Sequence, residues 1–314
     1  MGEEVRVSFC ATNLNTLDRL PGSLDSIAAL GRGLGESFEV VVADGPSHDG
    51  ARALLESRVR SDPHLKLVVH SERNRGYGRR RAFEASRGST IVPFDTSLYY
   101  DPIYADLLRS YLALETERML FSEISALSRK SILTVGGWRD LIGGEDIDLY
   151  ARVIRQFGLI AVPTGLVTSQ SARLGSRARQ LRYVRGSRLA QWRRLYAVQR
   201  DQIIGANYRV QDLMDFNASK PRGTRLALYG FFSLCALGAR LRGIPPVRGP
   251  ENNYLTFREA ILRSMRAGEY RTLGWAGPEP RLLLTDDEMR YLSRVSPLWR
   301  ELGEEVHRYV GRKT

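Results

Sequence analysis

Short apolar runs alternate with helical patterns through the first half of the chain. Runs of about five to seven largely apolar residues, bounded by polar turn residues, predict buried strands; they cover 5–11, 38–43, 65–70 and 90–94. The stretches between them carry apolar residues at helical spacing and predict helices over 20–34, 50–61 and 78–86. Strands that alternate with helices are typical of an α/β fold with a mainly parallel sheet.

A further helix between two short strands completes this part of the chain; the predicted ranges are 123–127, 145–157 and 159–162. Beyond about residue 171 the apolar spacing becomes helical almost throughout. We therefore predict two domains, an α/β domain over 1–170 and a mostly helical region over 171–314.

One apolar run of the helical region, LALYGFFSLCALGA at 226–239, has arginines close to both of its ends. Its 14 residues are fewer than the roughly 20 that a membrane-spanning helix needs. Two interpretations stay open. The run is either a core helix of the second domain or a helix at a membrane surface, held by its arginines against anionic headgroups.

Composition excludes several classes of protein. The 314-residue chain is 43% hydrophobic and 26% charged, which excludes wholesale disorder, a collagen-like fibre and a polytopic membrane protein. Its two cysteines, Cys10 and Cys235, cannot form a disulfide framework or a cysteine-rich zinc site, as in a reducing compartment. The first residues show no secretory signal, so we expect a cytoplasmic protein and consider a position at the inner face of the membrane.

Positive charge is concentrated in the middle of the chain. The net charge is +12, and residues 173–250 carry 16 arginines or lysines against three acids, a surplus of 13. The first half is therefore close to neutral. So basic a segment is expected to face an anion, which could be phosphate, anionic lipid or nucleic acid.

Polar turns follow three of the predicted strands. TNLN follows the first strand, DGPS the second and DTS the fourth, which presents Thr12, Asn15, Asp44 and Asp95. In an open parallel sheet, ligands bind beyond the carboxyl ends of the strands. These residue types are also ordinary turn formers, but their coincidence at strand ends favours a polar ligand.

A basic segment adds cations to the same edge of the sheet. Gly76 and Gly78 allow a close backbone approach, and Arg79, Arg80 and Arg81 open a helix whose N-terminus favours anions. Arginine forks match diphosphate oxygens. Since three consecutive helical residues cannot face one way, we expect one or two at a ligand and the rest in solvent. A solvated basic helix is the alternative.

A glycine pair leads into an acidic helix start, GGEDIDL at 143–149. Acids in a first turn stabilise a helix without any further role. Asp146 would nevertheless stand at the helix tip, where a carboxylate can accept a proton from an attacking hydroxyl. Capping and catalysis are both open on this pattern alone.

In this order, these segments resemble the family 2 glycosyltransferases of the GT-A fold over about residues 5–165. Four stretches carry the resemblance, namely the first strand and nucleotide turn (VSFCATNLNTLDRLPGSLDSI), the second strand (FEVVVADGPSHDG), the approach to the Asp-x-Asp motif (NRGYGRRRAFEASRGSTIVPFDTS) and the acceptor-side segment with the Glu-Asp helix (ISALSRKSILTVGGWRDLIGGEDIDLYARVIRQFG). The resemblance implies a GT-A-like, mainly parallel sheet flanked by helices, followed here by a mostly helical C-terminal region.

The resemblance also implies an inverting glycosyltransferase that uses a nucleotide-diphosphate sugar. Asp146 would be the general base. Thr12 and Asp44 would hold the nucleoside, Arg79 would lie near the base or the diphosphate, and Asp95 would contact the sugar diphosphate. The full set that it places at the substrate is Thr12, Asn15, Asp44, Arg79, Asp95, Trp138 and Glu145. For Trp138 a buried core position is the simpler interpretation.

One motif departs from the family pattern. Asp95-Thr96-Ser97 stands where the family has Asp-x-Asp, and a serine hydroxyl is a poor ligand for a hard cation. Three outcomes are open: a weaker metal site at Asp95, electrostatic work by arginines, or a degenerate site. We expect weak binding of Mn²⁺ or Mg²⁺ at Asp95, assisted by arginine.

The expected partners are a nucleotide-diphosphate sugar donor and a glycan or lipid-linked acceptor, with peripheral membrane contact through 173–250. The alternative is a degenerate, non-catalytic transferase-like protein that binds RNA or anionic membrane through its arginines. Nucleic acid is not the expected partner, because no RNA-binding signature is present. A nucleotidyltransferase is disfavoured because no glycine-rich loop follows the first strand.

Overall fold

The computed structural model describes residues 5–164, 166, 168–169, 187–244, 253–302 and 310–311. Its strands are β1 (Val7–Asn13), β2 (Phe38–Asp44), β3 (Leu65–Val69), β4 (Thr90–Pro93), β5 (Leu98–Tyr99), β6 (Met119–Phe121), β7 (Leu127–Ser128), β8 (Leu159–Ala161), β9 (Thr168–Ser169), β10 (Leu282–Leu283) and β11 (Val310–Gly311). Its α-helices are α1 (Leu20–Leu34), α2 (Ala51–Ser61), α3 (Arg75–Ala85), α4 (Tyr104–Leu112), α5 (Arg129–Thr134), α6 (Glu145–Phe157), α7 (Arg188–Ala206), α8 (Val210–Phe216), α9 (Arg222–Leu241), α10 (Asn253–Ala267), α11 (Asp286–Val295) and α12 (Pro297–Leu302).

The main sheet has five strands in the order β3-β2-β1-β4-β7. The first four are parallel, and β7 pairs antiparallel with β4. In the pairing of β1 with β2, Asn13 lies opposite Asp44, so the carboxyl ends of the two central strands meet at one edge. This confirms the predicted α/β fold and places three of the polar turns side by side.

Both faces of this sheet are buried, which explains its nearly continuous apolar runs. In β2, Val40 and Val42 belong to the core on one face, while Val41 and Ala43 belong to the core on the other. Helices α1 and α4 contribute to the first core, and α3, α6 and α10 to the second. The sheet is therefore held on both sides, and its carboxyl edge is left for the loops.

The second core joins segments from both sides of residue 170. Phe257 and Ile261 of α10 lie in the same cluster as Cys10 and Val41 of the sheet. Helices α7, α8 and α9 form a third cluster around Ile203, together with other buried residues. The mostly helical C-terminal region is thus observed in the described ranges, and the domain division at 170 stays a prediction.

The apolar run 226–239 lies inside α9, which buries Phe232, Cys235 and Ala239 on one side. Among the helices of the described residues, none has the length and apolar character to cross a membrane.

Two predicted elements differ from the structure. The strand predicted over 123–127 is found only at its end: residues 122–124 form a bend, Ala126 pairs with Leu120 in an isolated bridge, and β7 begins at Leu127. Helix α3 begins at Arg75 rather than 78, because the Asn74 side chain caps it by accepting the N–H of Tyr77.

Candidate active site

Asn13 links the carboxyl ends of three strands. Its Nδ2 donates to Asp44 Oδ1 at 2.7 Å, across the β1–β2 pair. Its Oδ1 accepts from the hydroxyls of Thr96, which follows β4, and Thr16. Asn13 is almost fully buried, so these bonds fix the edge of the sheet at which the polar turns meet.

The Asp44 carboxylate is fully buried and its oxygens are held by protein groups. Oδ1 also accepts from Ser47 Oγ at 2.7 Å, and Oδ2 accepts from Arg52 Nε at 2.9 Å. In this structure Asp44 therefore shapes the β2–α2 loop, while the next residue, Gly45, lines a cleft.

Asn15 joins two loops at this edge. Its Oδ1 accepts the backbone N–H of His48 at 2.8 Å, and its own N–H donates to Ser47 Oγ at 3.1 Å. Asn15 has a φ of 54°, which an asparagine tolerates better than most residues. The side chain predicted to bind substrate thus also fixes the β1–α1 loop against the β2–α2 loop.

A cleft opens beside these loops. Its empty space is about 550 Å³, part of it open to solvent. It is lined by Thr12, Asn13, Leu14, Thr16, Gly45, His70, Glu72, Arg73, Asn74, Arg75, Arg79, Asp95, Thr96 and Arg194. Three of the predicted site residues, Thr12, Arg79 and Asp95, therefore share one cavity.

Arg79 is the central cation of the site. It is 7% exposed, and its NH1 donates to the backbone carbonyls of Cys10 at 3.3 Å and Phe94 at 2.6 Å. Its NH2 donates to Asp146 Oδ2 at 3.2 Å. Burial acts to lower the pKa of Arg79, but the surrounding carboxylates, Asp146 foremost, raise it above its ordinary value. Arg79 is therefore a permanent charge that joins β1, β4 and α6.

The next two arginines of α3 point away from this centre. Arg80 pairs with Asp140 at 3.0 Å, with both side chains roughly 40% exposed. Arg81 pairs with Glu84 at 2.9 Å on the surface. The prediction that only one or two of the three face inward is consistent with this arrangement.

Asp95 follows β4 and lies in a mixed environment. Its Oδ1 accepts from both the N–H and the hydroxyl of Ser97, at 2.9 and 2.8 Å. Burial acts to raise the pKa of Asp95, but Arg75, Arg79 and the two bonds from Ser97 bring it below its ordinary value. The carboxylate is therefore ionised, and Ser97 stabilises it by donating two hydrogen bonds.

Asp146 stands at the first turn of α6. Its Oδ1 accepts from the indole Nε1 of Trp138 at 3.0 Å, and its side chain is 30% exposed. Trp138 itself is 2% exposed and packs in the second core. The indole is thus a core residue that orients Asp146 through its one polar atom.

Glu145 precedes Asp146 and is 2% exposed. Its Oε1 lies 3.5 Å from Arg75 Nε. Burial raises the pKa of Glu145 to about 7, with Asp146 adding to the rise and Arg75 opposing it. Arg75 thus lies between the carboxylates of Asp95 and Glu145, and half of its side chain is exposed at the cleft.

Comparison with known proteins identifies the first part of this architecture. Residues 8–112 match the sequence model of glycosyl transferase family 2. The resemblance to family 2 glycosyltransferases is confirmed. The matched segment contains Thr12, Asn15, Asp44, Arg79 and Asp95 and ends before α6.

Two relatives illustrate the resemblance. An uncharacterized glycosyltransferase, YfnE of Bacillus subtilis strain 168, is 33% identical over 94 residues, which are 30% of this chain and 24% of that protein. The chain thus spans about a quarter of the length of this curated relative. The mannosyltransferase PcManGT of Pyrobaculum calidifontis, solved with GDP-Man and Mn²⁺, is 15% identical, with 98% of this chain and 85% of that chain covered and a TM-score of 0.50. This likeness supports the GT-A-like fold.

At the position where the resemblance implies an Asp-x-Asp motif, this chain has one carboxylate, Asp95. Within the described ranges, no three His, Cys, Asp or Glu side chains are grouped as metal ligands. Asp95 Oδ1 is engaged by Ser97, whereas Oδ2 accepts no hydrogen bond from the described residues. Mg²⁺ is commonly bound by one or two carboxylates together with substrate phosphates, so Asp95 fits as a single protein ligand.

Sequence reasoning missed three residues of the cleft. Arg75 was not singled out from the basic segment, although it lies one position after the Asn74 cap. His70 follows β3 and could have been found by the strand-end rule that pointed to Asp44. Arg194 comes from α7, far along the chain, and no local pattern marks it.

Proposed function

We propose that this chain is an inverting glycosyltransferase that moves a sugar from a nucleotide-diphosphate sugar to an acceptor hydroxyl or phosphate. The observation that carries the proposal is the position of the Arg79 guanidinium. It contacts the carbonyl of Phe94, directly before Asp95, and the carboxylate of Asp146. One side chain therefore binds both the backbone just before the donor-side carboxylate and the candidate base.

The donor would lie along the carboxyl edge of the sheet. Thr12 and Gly45 line the cleft next to the buried Asp44, where the nucleoside would bind. Its diphosphate would face Arg75 and Arg79, because guanidinium groups match phosphate oxygens in geometry and charge. Arg75 is the half-exposed member of the pair, and it also pairs with the Glu145 carboxylate at 3.5 Å.

Asp146 would act as the general base. The acceptor oxygen attacks the anomeric carbon, the bond from that carbon to the diphosphate oxygen breaks, and the proton of the acceptor passes to the Asp146 carboxylate. Trp138 and Arg79 hold that carboxylate in place while leaving it accessible. One displacement assisted by one base inverts the anomeric configuration.

A divalent cation would bind at Asp95, and the diphosphate of the donor would supply further ligands to it. When bound, Mn²⁺ or Mg²⁺ neutralises charge on the leaving diphosphate. Arg75 and Arg79 provide fixed positive charge at the same place, since both act on the pKa of Asp95. We therefore expect the cation to strengthen donor binding rather than to be the sole source of positive charge.

The acceptor is proposed to be a glycan or a lipid-linked molecule that reaches the site from the side of α7. Arg194 of α7 lines the cleft and donates to the carbonyl of Arg73 at 3.5 Å. The α/β part, 1–170, would carry the chemistry, and the helical part, 171–314, would receive the acceptor at the inner face of the membrane.

The test compares the Asp146→Asn and Asp140→Asn variants in a nucleotide-sugar turnover assay. Loss of a general base lowers turnover by about 10²- to 10⁴-fold, while donor affinity stays near the wild-type value. Asp140 is the matched control, because its carboxylate pairs with the neighbouring Arg80 at the surface. Equal turnover in the two variants would remove Asp146 from this role.

The same assay tests the cation and the stereochemistry. Donor binding is titrated with Mn²⁺ and with an excess of chelator, and we expect weaker binding in chelator. Donor binding that is equally tight in chelator contradicts a cation at Asp95. The anomeric configuration of the product is determined by NMR, and retention would exclude the single displacement. A chain that binds no nucleotide sugar under any of these conditions would instead be the non-catalytic alternative.

A further inference from the structure

A continuous apolar surface covers one side of α9 and the start of α7. We define this apolar face by its large side chains, each more than half exposed: Leu189, Trp192, Leu226, Tyr229, Leu234, Leu237 and Leu241. Exposure reaches 76% at Leu226 and 79% at Leu241. Single exposed leucines are ordinary, but a contiguous group of this kind marks a surface that binds something.

The spacing along α9 shows that the face is a helical stripe. Leu226, Tyr229, Leu234, Leu237 and Leu241 recur at intervals of about three to five residues, which places them on one side of the helix. The other side of α9 is buried in the third core through Phe232, Cys235 and Ala239. Helix α9 is therefore apolar on two sides, and its own fold covers only one of them.

Helix α7 extends the stripe. The rings of Trp192 on α7 and Phe231 on α9 meet edge to face, with centroids 5.9 Å apart. Leu189 lies one turn before Trp192 and is 60% exposed. The two helices therefore present one surface rather than two separate patches.

Cations surround this face, and the described residues of α7 and α9 place no carboxylate on it. Exposed arginines flank it at Arg188, Arg193, Arg222, Arg225 and Arg240. The α9 sequence contains no acid. The one acid of α7, Asp201, is fully buried and pairs with Arg200 and Arg242. The surface combines leucine, tryptophan and tyrosine with positive charge alone.

We propose that the apolar face of α7 and α9 docks on the surface of an anionic lipid bilayer. The leucines and the two aromatic side chains enter the boundary between headgroups and acyl chains, and the arginines contact lipid phosphates. Both halves of the surface are then used: apolar side chains leave water, and each nearby arginine gains an anionic partner. Helix α9 lies parallel to the membrane plane, with its buried side attached to the protein.

Two other occupants fit the surface less well. A second copy of the chain, paired face to face about a two-fold axis, would bring like-charged arginine clusters together. An RNA strand would satisfy the arginines and stack on the aromatic rings, but it would leave the leucine stripe in water. A bilayer is the occupant that complements both the charge and the leucines.

Helix α7 carries a residue of the cleft as well as part of the docking surface. Arg194, which lines the cleft, is two residues after Trp192 on the same helix. Docking would hold the cleft mouth near the lipid headgroups, which suits an acceptor carried on a lipid. This last consequence rests on the proposed transferase function, whereas the docking itself does not.

The test is sedimentation of the full chain with phosphatidylcholine vesicles, with and without about 30% phosphatidylglycerol, and no donor present. We expect binding to the anionic vesicles alone, weakened by salt. The double variant Leu226→Ser, Leu237→Ser should bind them at least about tenfold more weakly, because two large apolar groups no longer enter the interface. The matched control is Leu133→Ser, a 61%-exposed leucine on α5, which should bind like the wild type.

Other outcomes would overturn the docking. Equal binding by the double variant would mean attraction by charge alone. Failure of the wild-type chain to bind anionic vesicles would rule out a bilayer as the partner. A Leu226-dependent dimer or salt-sensitive RNA binding would identify a second copy or RNA as the partner instead.

Thermal unfolding checks that the variants fold, and the Arg222→Gln, Arg225→Gln variant tests the cationic half of the surface without altering the leucines. Nucleotide-sugar binding, measured separately without vesicles, shows whether the transferase proposal stands or falls on its own.

Discussion

Three neighbouring arginines show how position decides the role of a residue. Arg79, Arg80 and Arg81 are identical in type and adjacent on α3, yet their exposure rises along the series from 7% for Arg79 to a 43%-exposed side chain at Arg81. A helix turns about 100° per residue, so only one of the three can point at the sheet edge. The sequence predicts that one or two of the three face a ligand, and the packing of α3 against β1 decides which.

Replacing Arg79 should cost far more stability than replacing Arg81. Arg79→Met removes the cation that the buried carbonyls and Asp146 share, and we expect a loss of about 2–4 kcal/mol in the free energy of unfolding. Arg81→Met removes only a surface pair, worth at most about 1 kcal/mol. Denaturant unfolding of both variants measures the difference, and similar losses would contradict the central role of Arg79.

At the scale of elements, the glycines of α3 allow close packing within the protein. The sequence suggests that Gly76 and Gly78 let the backbone approach a ligand. In the structure, a Cβ on Gly78 would lie 2.1 Å from Thr12 Oγ1, and one on Gly76 would lie 2.0 Å from the carbonyl oxygen of Arg139. The close approach is therefore between α3, β1 and the loop before α6, and it positions Arg79.

Gly78→Ala should separate α3 from β1. The added methyl group overlaps Thr12, and we expect a loss of about 1–3 kcal/mol in unfolding free energy together with weaker donor binding. Gly230→Ala on α9 is the matched control: it has open space around its Cβ and should gain about 0.5–1 kcal/mol from better helix propensity. Calorimetric unfolding and a donor titration test the pair. Equal effects on stability would contradict the close packing.

At the scale of the whole molecule, Glu145 makes global unfolding depend on pH. Its pKa is raised by burial to about 7 from an ordinary value of 4.5, so the folded chain holds this proton more tightly than the unfolded chain does. The stability that it contributes is present below about pH 4.5 and is lost as the pH rises toward 7.

Glu145→Gln should remove this dependence. Between pH 4.5 and 7 the wild type should lose stability relative to the glutamine variant. Urea unfolding across this range measures the two slopes, with Glu84→Gln, an exposed residue of α3, as the control. Parallel pH profiles for the wild type and Glu145→Gln would show that the pKa of Glu145 is not raised in the folded chain.

Local pattern alone determined much of this protein. Apolar runs predicted the four parallel strands of the main sheet and the helices α1 and α6, because period and turn residues act over a few positions. The strand-end rule brought out Thr12, Asp44 and Asp95, since parallel strands share a carboxyl edge. It did not predict that Asn13 joins three strand ends, or that the Asp44 carboxylate is held by Asn13, Ser47 and Arg52.

Tertiary structure decided how the site is assembled and which surfaces stay open. Arg194 reaches the cleft only because α7 packs against α6 and the loop before it, and Trp138 meets Asp146 only because that loop folds back onto α6. The run 226–239 is apolar or small at every position, so its sequence does not show which side of the helix is buried. Packing buries one of its faces and leaves the other exposed to solvent. Burial depends on contacts between residues far apart in the chain, and a local sequence pattern carries no record of them.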